Sequence, residues 1–197
     1  MNLPQAFIFI GRSGSGKGTQ VSLLKKYLEQ TTPITSILEI ETGKMFRQFI
    51  DGSSYSSRLA KEDNLAGKRG PSFILVWLWT QFLVEKLNGD EHLIFDGACR
   101  SLIEAEALDT ALTFYKKQKP IIIYLDISNK TAITRLTNRG RYDDIIPEVI
   151  NKRLDWFETD VMPVINYYRS DPLYNFIDIN GDQETEKVHQ DIVSRLW

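Results

Sequence analysis

A short apolar run, Ala6 to Ile10, passes directly into Gly11-Arg12-Ser13-Gly14-Ser15-Gly16-Lys17-Gly18-Thr19, and a helical pattern opens at Lys17. Strand, glycine-rich turn and helix in that order constrain the chain more than any other feature. Glycines let the backbone curl so that successive N–H groups point into one cavity, and the helix N-terminus adds partial positive charge at the same place. A polyphosphate suits that cradle. The spacing Gly-x4-Gly-Lys is met in full: Gly11, Ser13, Gly14, Ser15, Gly16 and Gly18 form the loop, and Lys17 brings a mobile point charge to the β- and γ-phosphates. The Thr19 hydroxyl is placed to join a Mg²⁺ shell directly or through water. The plain alternative is a glycine-rich turn before an exposed lysine, and the flanking strand and helix argue against it.

Four further β-like runs follow, at Thr35–Ile40, His92–Phe95, Ile121–Asp126 and Phe176–Ile179. Most are continuously apolar instead of alternating, as strands covered by helices on both faces are, so an α/β fold with a parallel sheet is expected. Helical spacing marks Lys17–Gln30, Pro71–Asn88, Pro147–Tyr168 with a kink at Pro163, and Gln183–Leu196. A chain of 197 residues, 42% hydrophobic and 25% charged, is long enough for one sizeable core and ordinary enough to fold. No repeat or linker divides it, so one domain over residues 1–197 is expected. Two stretches read as insertions: the polar, glycine-punctuated Ser53–Gly70 and the charged connection Asn138–Asp144, both expected to be mobile over a ligand.

A formal net charge of -2 gives no basic field for nucleic acid or anionic membrane. The first residues lack a basic signal-peptide region, and the apolar stretch Phe73–Val84, interrupted by Thr80 and Gln81, falls short of the roughly 20 residues a membrane span needs. One cysteine, Cys99, excludes an intramolecular disulfide and fits a reducing compartment, so a cytoplasmic protein is expected. The isolated His92 and His189 read as structural, and Trp77, Trp79 and Trp156 as packing residues.

Gly18 stands after Lys17 where many phosphate loops have Ser or Thr, and Gly-Lys-Gly-Thr-Gln resembles the adenylate kinase family of nucleoside monophosphate kinases. The resemblance runs through almost the whole chain. It implies a three-layer P-loop kinase fold with a five-stranded parallel sheet, an acceptor-binding insertion at about 41–70 and a short lid at about 138–147. Glu41-Thr42-Gly43-Lys44-Met45-Phe46-Arg47 resembles the family's acceptor segment, which places Thr42, Gly43 and Arg47 on the monophosphate. Leu65 to Ser72 is similar to the end of the acceptor-binding helices, with Arg69 and Gly70 replacing the usual apolar pair. In Phe95-Asp96-Gly97-Ala98-Cys99-Arg100, Asp96 falls at the carboxyl edge of a strand, where open α/β sheets bind ligands. The resemblance implies that Asp96 orients Mg²⁺ waters and that Gly97 and Arg100 hold the acceptor phosphate. Ala98 and Cys99 depart from the usual Phe-Pro, Ser13 from another proline and Lys44 from an Asp.

Arg135, Arg139, Arg141, Asp143, Asp144 and Arg153 resemble the family's lid signature. Phosphoryl transfer demands neutralisation of spread negative charge more than covalent help, and permanently charged guanidiniums provide it. By resemblance Arg135 and Arg139 meet ATP, Arg141 and Arg153 the monophosphate, and Lys17, Arg100, Arg139, Arg141 and Arg153 act in catalysis. Asp143 and Asp144 would steady the arginines. The lid lacks the four Cys or His ligands of a zinc site.

The activity implied is reversible transfer of the terminal phosphoryl group of ATP to AMP, giving two ADP, by a Mg²⁺-dependent monomer. A second reading rests on Glu104, which the resemblance would place on the acceptor base where the family usually has glutamine. An ionised carboxylate only accepts hydrogen bonds, and guanine offers it two neighbouring donors, so GMP is the alternative acceptor. Two further readings are a nucleotide-binding protein without turnover, separated by an assay for ADP formation, and a P-loop kinase of a small non-nucleotide metabolite. The segment Thr42 to Arg47 argues against the latter.

Overall fold

The computed structural model describes residues 5–140 and 146–196. Its centre is β1 (Ala6–Ile10), five residues buried end to end, flanked by β3 (His92–Asp96) and β4 (Ile121–Asp126). With β2 (Ile37–Glu41) and β5 (Asn175–Asn180) at the edges, the order is β2-β3-β1-β4-β5 and every pairing is parallel. This is the three-layer α/β arrangement of P-loop kinases, with helices on both faces of a five-stranded sheet.

Strand periodicity divides the core cleanly. Ile8, Ile10, Ile40, Phe95, Ile122 and Tyr124 point to a face covered by α4 (Ser72–Lys86), α5 (Leu102–Phe114) and α8 (Met162–Ser170), through Trp79, Leu83, Leu108, Val164 and Tyr168. Phe7, Phe9, Ile94, Ile123 and Ile179 point the other way, against Val21, Leu24 and Leu28 of α1 (Lys17–Thr31) and Val188 and Ile192 of α9 (Thr185–Val193). Both faces are apolar, which is why the strands read as continuous runs.

Several boundaries differ from the sequence expectation. The second strand begins at Ile37 and runs on to Glu41, which pairs with Asp96, because ladder hydrogen bonds need no apolar side chain at a sheet's edge. The stretch Ser53–Gly70 contains a regular helix, α3 (Tyr55–Leu65), capped by Ser54 Oγ accepting from the Ser57 amide at 3.0 Å. Together with α2 (Thr42–Ile50) it packs on α4 through Phe46, Ile50, Ala60, Ile74 and Leu75. The expected helix Pro147–Tyr168 is instead α7 (Pro147–Trp156), a π-helical turn (Phe157–Val161) and α8. The break precedes Pro163, whose nitrogen has no hydrogen to give the preceding turn, so the wider turn sits just before it. Helix α6 (Asn129–Arg139) packs on α7 through Ala132, Leu136, Ile150 and Leu154. The remainder of the lid-like segment, with Arg141, Asp143 and Asp144, lies outside the described residues.

Candidate active site

The carboxyl edge of the sheet opens into a cavity of about 640 Å³. Its floor is set by β1 and β3, whose ends, Ile10 and Asp96, deliver the phosphate loop and the Gly97 turn side by side. The loop residues Ser13 to Thr19 line one part of its wall and Gly43, Arg47, Gly97 and Arg100 another, and the two meet at Lys17, whose Cε is 3.7 Å from where a Gly97 β-carbon would stand. Gly11 borders a smaller adjoining recess that also touches Cys99 and Arg100.

The loop closes into α1 through Gly14 and Gly16, both left-handed at φ 84° and 90°, a conformation that an L side chain resists. A β-carbon on Gly14 would also meet the Ala132 carbonyl at 3.0 Å. Lys17 folds back over the loop, its Nζ donating to Gly11 O at 2.6 Å, Arg12 O at 3.0 Å and Ser15 Oγ at 3.3 Å. Burial lowers its pKa to about 8; Asp96 opposes the fall, and Arg100 and Arg139 add to it. Arg12 anchors the loop from outside: its guanidinium donates to Asn129 Oδ1, lies 3.3 Å from Glu158 and stacks 4.5 Å over the Phe157 ring.

Asp96 Oδ2 lies 3.4 Å from where a Gly18 β-carbon would stand, which sets the carboxylate against the start of α1 beside Thr19. Both Asp96 and Thr19 line the cavity, and a carboxylate with a hydroxyl is the hard oxygen donor set that suits Mg²⁺. The residues fit that ion.

Beside Asp96, Thr42 is buried, its hydroxyl donating to Asp96 O at 3.1 Å and Gly97 O at 2.9 Å. It ties α2 to the end of β3 and turns no free group to the cavity. The two glycines beside it leave room for guanidiniums: a β-carbon on Gly43 would sit 3.3 Å from Arg47 Nη1 and 3.5 Å from Arg100 Nη2, and one on Gly97 3.3 Å from Arg100 Nη2. Arg100 Nε donates to Gly97 O at 2.9 Å, and Arg47 Nη2 meets Glu41 Oε1 at 3.2 Å. Burial lowers the pKa of Arg100, Glu104 opposes that, and Arg153 and Arg47 reinforce it. Arg135, Arg139 and Arg153 reach the same cavity from α6 and α7, with Arg135 Nη2 held by Gly181 O at 2.9 Å.

Glu104 does not line the cavity. It is 2% exposed, and its Oε1 accepts from Arg69 Nη1, Ser72 Oγ (3.3 Å) and Ser101 Oγ (3.2 Å) while Oε2 accepts from the Arg100 amide at 2.9 Å. Lys44 is exposed on the outer side of α2 and likewise off the cavity. Cys99 stands in the left-handed region at φ 61°, buried, with its thiol pKa pushed well up by burial. Of the tryptophans expected to pack, Trp79 is buried against Phe95, Trp77 is half exposed edge-on to Phe49, and Trp156 is on the cavity wall with its indole N–H unpartnered. Sequence reasoning missed Trp156, Phe46, Asn64 and Ser22 as cavity residues. Trp156 follows Arg153 by three residues on one helix face, a spacing that would have pointed to it.

Comparison with known proteins supplies the remaining constraint. A family model described as Adenylate kinase matches residues 9–172. The adenylate kinase of Prochlorococcus marinus (strain AS9601) is 30% identical over 189 residues, covering 96% of this chain and 97% of that protein. Adenylate kinase 2 of Nostoc sp. (strain PCC 7120 / SAG 25.82 / UTEX 2576) matches with the same identity and coverage, and the adenylate kinase of Oenococcus oeni (strain ATCC BAA-331 / PSU-1) is 31% identical over 89% of each chain. With the family model over most of its length and relatives aligned nearly end to end, the chain belongs to the adenylate kinase family.

Proposed function

We propose that this protein transfers the terminal phosphoryl group of ATP to AMP, reversibly, giving two ADP. That it is a phosphotransferase of nucleoside monophosphates follows from its family; the acceptor base and the residue roles are our reading. One observation carries it. One cavity joins the phosphate loop to the Gly43–Gly97 cradle of Arg47 and Arg100, with Lys17 Cε 3.7 Å from where a Gly97 β-carbon would stand, so two phosphate-bearing ligands can meet at Lys17. The relatives' names favour AMP as the second.

In this reading the loop amides from Gly14 to Thr19 hold the triphosphate, and Lys17 leaves its own loop carbonyls to follow the β- and γ-phosphates. Arg47 and Arg100 hold the acceptor phosphate, with Thr42 fixing the turn beneath them. Arg139 and Arg153, joined by Arg141, stabilise the charge on the group in transit, and Arg135 steadies the ATP side. Thr19 and Asp96 would hold Mg²⁺, which when bound neutralises phosphate charge. No general base is required, since alignment and electrostatics dominate this chemistry. We take the chain as one domain in which α2 and α3 form the acceptor insertion and about 138–147 the lid.

The cavity is complete within one chain, so this reading needs no second copy and takes the protein as a monomer, and the one cysteine is a free buried thiol, as suits the cytoplasm. Among the described residues no helix is long and apolar enough to cross a membrane. The test is a coupled assay for ADP with ATP, Mg²⁺ and AMP, GMP, CMP or UMP in turn. Turnover with AMP at the highest kcat/KM is expected; ATP binding with no ADP from any acceptor would leave a nucleotide-binding protein in its place.

A further inference from the structure

We propose that Arg69, not Glu104, reads the acceptor base, and that its donor-only edge admits 6-oxopurine monophosphates beside AMP. This rests on the monophosphate kinase reading above. Arg69 follows α3, lines the cavity and keeps 18% of its side chain exposed there. Glu104 lies behind it, covered by the guanidinium it binds.

The geometry fixes Arg69 on three sides. Nη1 donates to Glu104, Nε to Asp160 Oδ2 at 3.0 Å and Nη2 to Ser72 Oγ at 3.1 Å. A guanidinium carries five N–H groups, so one on each η nitrogen stays available. Glu104 in contrast is saturated: it takes Arg69, two serine hydroxyls and the Arg100 amide. Its second oxygen also shows where Arg69 lies, one carboxylate away from the turn that presents Arg100. A monophosphate held by Arg47 and Arg100 therefore extends its nucleoside along the wall of Phe46, Gly70 and Arg69. Gly70 is in close contact with that wall, since a β-carbon there would fall 2.8 Å from Phe46 Cζ. The surface combines an aromatic ring with a planar, anchored cation, which offers a base both contact area and hydrogen-bond donors.

Donors alone discriminate between purines. Guanine presents N7 and O6 as adjacent acceptors and pairs with a guanidinium through both, whereas adenine sets an amine donor beside N7 and offers only one acceptor on that edge. Two acidic partners, Glu104 and Asp160, offset the Arg69 charge and hold its plane, so the side chain is ordered before a base arrives. Arg69 thereby raises the ratio of GMP to AMP utilisation above what an apolar residue at this position would give.

The experiment is kcat/KM for GMP and AMP, with calorimetric Kd values for both in the absence of ATP, in wild type, Glu104→Gln and the double variant Arg69→Leu/Glu104→Gln. The double variant removes both charges together, so no buried carboxylate is stranded. Expected is a GMP:AMP ratio lower by about fivefold to 150-fold in the double variant, and within about twofold of wild type in Glu104→Gln. An unchanged ratio in the double variant would make Arg69 a brace only, and an equal fall in Glu104→Gln would return base reading to the carboxylate; either overturns the proposal. The Kd ratio tests Arg69 even if no acceptor is turned over, which separates this proposal's failure from that of the kinase reading.

Discussion

Lys17 shows how one residue joins burial to function. Its ammonium is enclosed and rests on carbonyls of its own loop, and burial holds its pKa at about 8. A bound triphosphate replaces those carbonyls with full negative charge and raises that pKa. The lysine therefore strengthens binding fully below pH 8, where it is already charged, and the gain is lost as pH rises from about 8 toward the pKa in the complex. ATP affinity is expected to weaken by up to about tenfold per pH unit in that window, with proton uptake on binding near pH 8.5 detectable by calorimetry in buffers of different ionisation enthalpy. Lys17→Ala should abolish both effects and cut turnover by orders of magnitude with circular dichroism unchanged; a pH dependence that survives the substitution belongs to another group. The loop was legible because its spacing is set by phosphate geometry. Glu104 was legible as a departure but not in its orientation, because nothing in its sequence neighbourhood shows that Arg69, 35 positions away, consumes it. Cys99 takes a left-handed conformation at φ 61° that a proline, with φ fixed at about -65°, could not adopt, and Glu104 pins the next amide from the side.

The elements most readable from sequence are those with one physical cause. Buried parallel strands gave apolar runs, and α1 and α4 gave long helical ones. Helix α3 was read as a polar insertion because it buries only Ser57 and Ala60, so it carries almost no apolar stripe. The π-helical turn was invisible for a different reason: its position depends on tertiary partners as well as on Pro163. Phe157 and Glu158 face Arg12 of the phosphate loop, and Asp160 faces Arg69 on the cavity wall, so a five-residue turn braces both the loop and that wall. Arg12→Ala should therefore destabilise the fold by about 1–3 kcal/mol in urea unfolding, through lost stacking on Phe157 and lost packing of a buried side chain. The KM for ATP should rise several-fold while kcat changes little, because the loop loses an anchor and no group in contact with the transferring phosphate is removed. A fall in kcat with KM unaltered would place Arg12 nearer the chemistry than its contacts do.

At the scale of the whole molecule the charge is nearly balanced, with a formal net charge of -2, yet its cavity is not. Among the described residues eight cationic side chains line it against three carboxylates, Glu39, Glu41 and Asp96. Such focusing in a concave, low-dielectric site attracts anions from a distance, and salt screens it: the Debye length shortens from about 30 Å at 0.01 M to about 8 Å at 0.15 M. Composition alone hid this, since a near-neutral total says nothing about where the fold gathers its arginines. Arg139 and Arg153 come from separate helices, α6 and α7, and meet in the cavity only because those helices pack together. Two roles are distinguishable for them. If they contribute chiefly to the long-range field, Arg139→Ala and Arg153→Ala raise KM at low salt, and the defect fades by 0.5 M as wild type is screened too. If they act on the charge developing in transit inside a closed, water-poor site, screening reaches them poorly and the loss is in kcat. We expect the second: kcat lower by about a hundredfold or more in each variant, nucleotide Kd weaker by much less, and the kcat defect maintained from 0.01 to 0.5 M salt. A defect confined to KM and removed by salt would assign these arginines to attraction of the nucleotides alone.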